Sequence, residues 1–404
     1  MQKSRIHLLG IFLAGMCVLH LLIFWSLGEK IRQGYSDFSI FYTAGSILHQ
    51  GSAAQLYDPA LQFRVQKQFA SQVYIRQGAL PYNHPPFEAL LFAPLARVSY
   101  PVAFAIWNLL NLAILAILPI LLRLHVPLMQ PVPIFLFWIA ELGFFPVFIA
   151  LLQGQDSILL LLLFVLAFIA LKQNQQLAAG IWLGLGLFRF HLVLPLVLIL
   201  LLRKKGRVIL GFAVTALALG LLSVAIVGWS AALHYPHYVW NVENSTGSAA
   251  TLVSTMPNLR GFVHMLLPWT PRVEVGVSII SAILLLWASS QWDDSSSQRF
   301  EWSFSLSLVT TILVSYHVLV HDLSLLLLPV ALLVSNLNQS GWPKLTRGLL
   351  LAGPAVVLFL SPLQMLLWFR YGEFSLFAPV LLVWFIGISR EFSDRFAHTR
   401  VRAA

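Results

Sequence analysis

Residues 6–27 read IHLLGIFLAGMCVLHLLIFWSL, an apolar run interrupted only by His7, His20 and Ser26. A helix needs about 20 such residues to cross the hydrocarbon core of a bilayer. Lys3 and Arg5 precede the run, so the positive-inside bias places the N-terminus in the cytoplasm. A cleaved signal peptide is the competing reading, but the run is long for an h-region and no A-x-A site follows it. The same texture recurs outward along the chain, near 87–98 (short), 102–122, 132–152, 157–171, 178–202, 208–228, 273–290, 302–319, 322–335, 345–367 and 375–389. Of the 404 residues 59% are hydrophobic and 10% charged, whereas a soluble domain carries roughly 25% charge. The expected fold is an all-α polytopic transmembrane helical bundle of about ten to twelve spans, a single domain over 1–404. The net charge of +10 fits cytoplasmic anchoring and anionic lipid rather than nucleic acid. The single cysteine, Cys17, excludes a disulfide framework.

The basic turn Arg203-Lys204-Lys205-Gly206-Arg207 and the tail arginines Arg390, Arg395, Arg400 and Arg402 mark the cytoplasmic side and put the C-terminus there. Two long loops then face outward, 28–86 and 229–272, and connections of that length are usually functional. The first loop carries two segments with helical apolar spacing, 37–49 and 58–74, the second opening on Asp58-Pro59 as a helix start. Such amphipathic helices either lie flat at the membrane surface or pack on the bundle top. Segment 178–202 holds Arg189 and His191 at its middle. Since the turns at 172–176 and 203–207 both look cytoplasmic, the segment is expected to go out and back, with Arg189-Phe190-His191 at the turn.

Ionisable groups within apolar segments cost about 2.5–3.5 kcal/mol each and mark function by default. Asp37 precedes an aromatic-rich helix and reads either as an N-cap carboxylate or as a reactive acid. Tyr82-Asn83-His84-Pro85-Pro86-Phe87-Glu88 brings a histidine and an acid to a proline-marked helix entrance, where a cap and a headgroup contact are the bland readings. Gln155, in Gly154-Gln155-Asp156, suits an interhelical hydrogen bond. Arg189 has no neighbouring acid in sequence, and a fixed guanidinium suits an anion such as phosphate. Arg260, in Met256-Pro257-Asn258-Leu259-Arg260-Gly261, reads as an interfacial anchor or a second anion contact. His317 and His321 are four apart and would share a face if the helix continued, but no HExxH glutamate or third ligand accompanies them, so no metal is expected.

In this order the motifs resemble the GT-C superfamily of integral-membrane glycosyltransferases, and more specifically glycosyltransferase family 87. The matching pieces are Asp37-x-x-x-Phe41-Tyr42, Gly51 with Leu56-Tyr57-Asp58, Tyr82-x-x-Pro85-Pro86, Pro94-Leu95, Trp107, Gly154-Gln155, and Ala179-Gly180 leading to Arg189. They continue through the basic turn 203–207, Pro257-Asn258-Leu259-Arg260-Gly261 and His321-Asp322. Arg189 stands where the family usually has lysine, and His84 where an aromatic or small residue is more common. The resemblance implies an inverting transfer of one sugar, mannose or another hexose or pentose, from a polyprenyl-phosphate donor to a glycolipid or glycan acceptor on the outer face of the inner membrane. It implies Asp37 as general base, and Arg260, Arg189, His317 and His321 around the leaving phosphate. Tyr42, Asp58, Tyr82, His84, Glu88, Gln155, His191, Asn258 and Asp322 are expected as substrate contacts. A monophosphate leaving group met by arginines implies no metal or cofactor, and no DxD motif occurs in the outer loops. A flippase for a lipid-linked sugar shares the buried charges but is expected to show inverted repeats, which are absent. A surface-polysaccharide ligase or polymerase would favour a large outer loop late in the chain.

Overall fold

A computed structural model describes residues 2–72, 80–243, 253–268, 270–340, 345–371 and 377–400. Residues 73–79 and 244–252 of the two long loops, Trp269, the start of 375–389 and Arg402 lie outside the described residues. Among the described residues the chain is helix and turn, without a strand. Six stretches are long and apolar enough to cross a membrane: His7–Ser26, Tyr100–His125, Gln176–Leu202, Gly206–Val227, Pro271–Ser290 and Val320–Leu337. Outward faces are greasy. Gly206–Val227 exposes Leu210, Val214, Leu217 and Leu221, the helical stripe that faces lipid. At the centre lies Ser297–Val314, buried from Phe300 to Leu313, and several of its hydroxyls return to their own helix. Ser305 donates to the Glu301 carbonyl at 2.7 Å and Thr310 to that of Leu306 at 2.7 Å, so neither is left unpaired.

Several apolar stretches are shorter or more broken than their composition suggests. The stretch 132–152 is two half-helices, Ile134–Gly143 and Phe145–Gln153, bent by 64°. Pro146 has no amide to continue the ladder, and Phe144 is extended. Likewise 345–367 breaks at Leu360, ahead of Pro362, into Leu345–Phe359 and Ser361–Tyr371. The stretch 87–98 is not a span. It consists of the one-turn helix Ala89–Phe92 between the 3-10 turns Pro86–Glu88 and Leu95–Arg97, with Phe92 buried against Phe38, Phe41 and Trp107. The expected helices of the first loop form as Phe38–His49 and Pro59–Phe69. They pack inward: Gln62 and Gln66 are buried and hold the backbone of Tyr82 and Leu80.

Segment 176–202 passes for one span by length, yet it folds back as expected. A straight helix of that length would hold its ends about 40 Å apart. Instead both ends meet the same short segment. Lys172, just before the first half, bonds Glu301 at 2.5 Å, and Lys205, just after the second, bonds Asp294. The halves Gln176–Leu185 and Phe190–Leu202 flank a 3-10 turn, Gly186–Arg189. The first half lies against Gly206–Val227 so closely that a Cβ on Gly180 would stand 2.0 Å from the Val208 carbonyl oxygen. The turn reaches the level of Asp156, at the start of Ser157–Lys172. A charged end (Lys172, Lys205, Asp293, Asp294, Arg299, Glu301) and a polar interior cluster around Arg189 are thus separated by one helix length, roughly 24 Å.

Candidate active site

Asp37 precedes Phe38–His49 but does not cap it, because its side chain makes no capping bond. The cap reading falls. Its backbone N–H donates to Gln153 Oε1 at 3.0 Å, and its Oδ2 accepts from Gln155 Nε2 at 2.9 Å. Gln155 is aimed by the residue before it. Gly154 closes Phe145–Gln153 in the left-handed region at φ +63, where a Cβ would also strike Phe38 Cβ at 2.8 Å and Phe104 Cε2 at 2.9 Å. The Gln155 carbonyl is fixed by Trp107 Nε1 and Asn111 Nδ2, both at 3.3 Å.

Arg189 decides which way the Gln155 amide points. Its Nη2 donates to Gln155 Oε1, and its Nε donates to Asp156 Oδ1 at 2.7 Å. Arginine has only donors, so the amide oxygen must face Arg189, and the amide NH2 is left for Asp37. Asp322 Oδ1 lies 3.7 Å from Arg189 Nη1. The other Asp322 oxygen accepts from the Leu319 amide at 2.8 Å, capping the turn Val320–Leu326. That turn decides the condition on the two histidines: the helix ends at Val314, so His317 and His321 share no helical face. His321 Nε2 lies 3.6 Å from Asp322 Oδ1, while His317 meets His191 edge-on with ring centroids 5.6 Å apart.

The second-loop motif joins the cluster through its neighbour in space. Asn258 caps Leu259–Leu266 by accepting from Gly261 N at 2.8 Å, and it donates to the Ser315 carbonyl at 2.7 Å. Ser315 in turn donates to the His191 carbonyl at 2.7 Å. Arg260 is buried rather than an interfacial anchor. It stacks over the Tyr316 ring at 3.8 Å and donates to the Tyr316 hydroxyl at 2.9 Å.

His84 and Glu88 stand on the other side of Asp156. His84 Nδ1 is 2.7 Å from Glu88 Oε2 and 3.8 Å from Asp156 Oδ2. Burial, and then the nearby Arg189 charge, pulls the His84 imidazole down to about 3, so it is neutral. Burial, and then the Asp156 carboxylate, pushes Glu88 well above its usual range.

Two expected substrate contacts, Tyr42 and Asp58, lie outside this cluster, whereas the Tyr82 ring stacks on His84 with centroids 5.5 Å apart. Asp58 caps Pro59–Phe69, accepting from Ala60 N at 2.9 Å. The Tyr42 hydroxyl donates to the Val98 carbonyl at 2.8 Å, and that of Tyr82 to the Pro85 carbonyl at 3.0 Å. Their hydroxyls are spent on the backbone. Conversely, Asp156, Gln153 and Tyr316 join the site although the sequence motifs assign them no role there. For Asp156 the signal was present, an acid between two apolar helices. A cavity of about 350 Å³ lies elsewhere, lined mostly by apolar side chains from several helices, with Glu141 the acid among them.

Compared with known protein families, residues 82–316 match glycosyltransferase family 87. No curated protein and no solved structure matches the chain.

Proposed function

The chain belongs to glycosyltransferase family 87, and from that premise we propose that it moves one sugar from a polyprenyl-phosphate donor to a lipid-linked or cell-envelope glycan acceptor, with inversion. The donor's lipid carrier partitions into the bilayer, which accounts for a bundle with long lipid-facing stripes. The observation that carries the reading is the chain Asp37–Gln155–Arg189, which sets a half-buried carboxylate and a buried cation on either side of one locked amide.

In this reading the acceptor hydroxyl attacks the anomeric carbon from the face opposite the phosphate. Asp37 accepts the hydroxyl proton through Oδ1, the oxygen that Gln155 does not use. The new glycosidic bond forms as the bond from carbon to phosphate oxygen breaks, through an oxocarbenium-like state. The leaving polyprenyl phosphate carries the electron pair away and meets Arg189 and Arg260, with His317 or His321 beside them. His191, Asn258 and Asp322 border the same space and fix the turns that carry these groups. The sugar is mannose or another hexose or pentose. The chemistry lies on the extracytoplasmic face of the inner membrane, with both termini in the cytoplasm.

The test is a membrane preparation given radiolabelled polyprenyl-phosphate sugars and a lipid acceptor. Label should pass to the acceptor only where this chain is present. If a nucleotide sugar supports transfer and no prenyl-phosphate sugar does, the donor assignment is wrong. Sidedness has its own check. In a Cys17-free background an impermeant thiol reagent on intact cells should label Asp37→Cys and spare Lys204→Cys, and the reverse pattern would turn the molecule upside down.

A further inference from the structure

Four carboxylates, Asp37, Glu88, Asp156 and Asp322, belong to one connected interior cluster, and Arg189 is the cation bonded within it. Glu88, Asp156 and Asp322 are 0% exposed. Ionised together, they would leave negative charge uncompensated in a low-dielectric interior, so either a proton or a further cation must balance it. The imbalance is concentrated on the side of Asp156 away from Arg189. There, Glu88 Oε1, Glu88 Oε2, Asp156 Oδ2 and His84 Nδ1 are buried atoms without a hydrogen-bond partner. His84 Nδ1 and Glu88 Oε2 stand 2.7 Å apart, yet no N–H is aligned between them. Two ligands of one ion stand in that relation to each other. Two ligands about 2.1 Å from one ion at a right angle are themselves about 3 Å apart.

One donor atom from each of His84, Glu88 and Asp156 lies within 4.8 Å of the others. We propose that these three side chains bind a divalent cation. One neutral imidazole with two carboxylates suits Mn²⁺ or Zn²⁺ better than Mg²⁺ or Ca²⁺, which prefer all-oxygen shells. Asp156 then bridges the ion and the guanidinium, Oδ2 to the metal and Oδ1 to Arg189. The backbone already holds the ligands in place. The Tyr57 hydroxyl donates to the His84 carbonyl at 2.8 Å, and Pro85 and Pro86 stiffen the turn between His84 and Glu88. This departs from the sequence expectation of a metal-free enzyme. It concerns binding alone and stands whatever the sugar donor is.

The competing way to balance the charge is a proton held between Glu88 and Asp156, and the experiment separates the two. Full-length protein in detergent is stripped with a chelator and titrated with Mn²⁺, followed by loss of the free-ion electron paramagnetic resonance signal, and with Zn²⁺ by calorimetry. One saturable equivalent per chain is expected, with a rise in melting temperature on adding the ion. Glu88→Gln, which keeps the shape, and His84→Ala should each weaken binding roughly tenfold or more. The proposal is overturned if the wild-type protein takes up neither ion, a result that needs no variant to fold. It is equally overturned if both variants bind as the wild type does. A protonated-carboxyl infrared band that persists with excess ion and vanishes in Glu88→Gln would assign the balance to the proton instead.

Discussion

Asp37→Asn should abolish most transfer while leaving the fold intact, with the turnover number falling by on the order of 10²–10⁴. Asparagine has the same shape, and its amide oxygen can still accept from Gln155 Nε2, now 2.9 Å from Asp37 Oδ2. The backbone bond from residue 37 to Gln153 is also untouched. What is lost is the second oxygen's capacity to take a proton, because an amide NH2 cannot act as a base. The loss should therefore appear in the turnover number with little change in apparent donor affinity. Expression level and melting temperature in detergent are the controls. Wild-type transfer by this variant would remove Asp37 from the mechanism.

Arg189→Gln should have the largest effect on stability. Arg189 is 4% exposed and bonds Asp156 and Gln155 at once, with Asp322 at 3.7 Å. Removing the cation leaves buried acids unpaired, at a cost of about 3–5 kcal/mol. Thermal unfolding in detergent reads this directly. Adding Asp156→Asn to Arg189→Gln should recover much of the loss, since neutralising both partners removes the stranded charge. Arg189→Lys separates charge from geometry. Its single ammonium keeps the charge but cannot span Gln155 and Asp156 as the planar fork does, so transfer should fall while the protein stays folded. An Arg189→Gln protein as stable and active as the parent would show that the cluster is not held this way.

The two predictions draw on unequal sequence signals. Asp37 was legible because an acid ahead of an aromatic-rich helix, just past an apolar run, is unusual. Its cap role could be dismissed only once the side chain was seen bonded to Gln155 instead. Arg189 stood out because no acid neighbours it in sequence; its partners Asp156 and Asp322 lie 33 and 133 positions away. The breaks in the apolar stretches were harder to see. Pro146 and Pro362 were in plain view, but proline is tolerated in many membrane helices, and only packing decides whether a span kinks or splits. Whether His317 and His321 share a face is hidden for a similar reason: nothing local says that a helix stops at Val314, whereas the Asp322 cap on Leu319 does.

Composition sets the solvent and hence the class: so little charge across 404 residues suits helices that face lipid. It also supplied the chemical inventory, since ionisable residues stand out against leucine. Which of them meet was decided only in three dimensions. Chain folding brings Asp37, His84, Asp156, Arg189 and Asp322 together from five separate segments, and hydrogen bonds act over about 3 Å whatever the separation along the chain. The same folding took Tyr42 and Asp58 out of that group, because a backbone carbonyl and amides nearby claimed their polar atoms first.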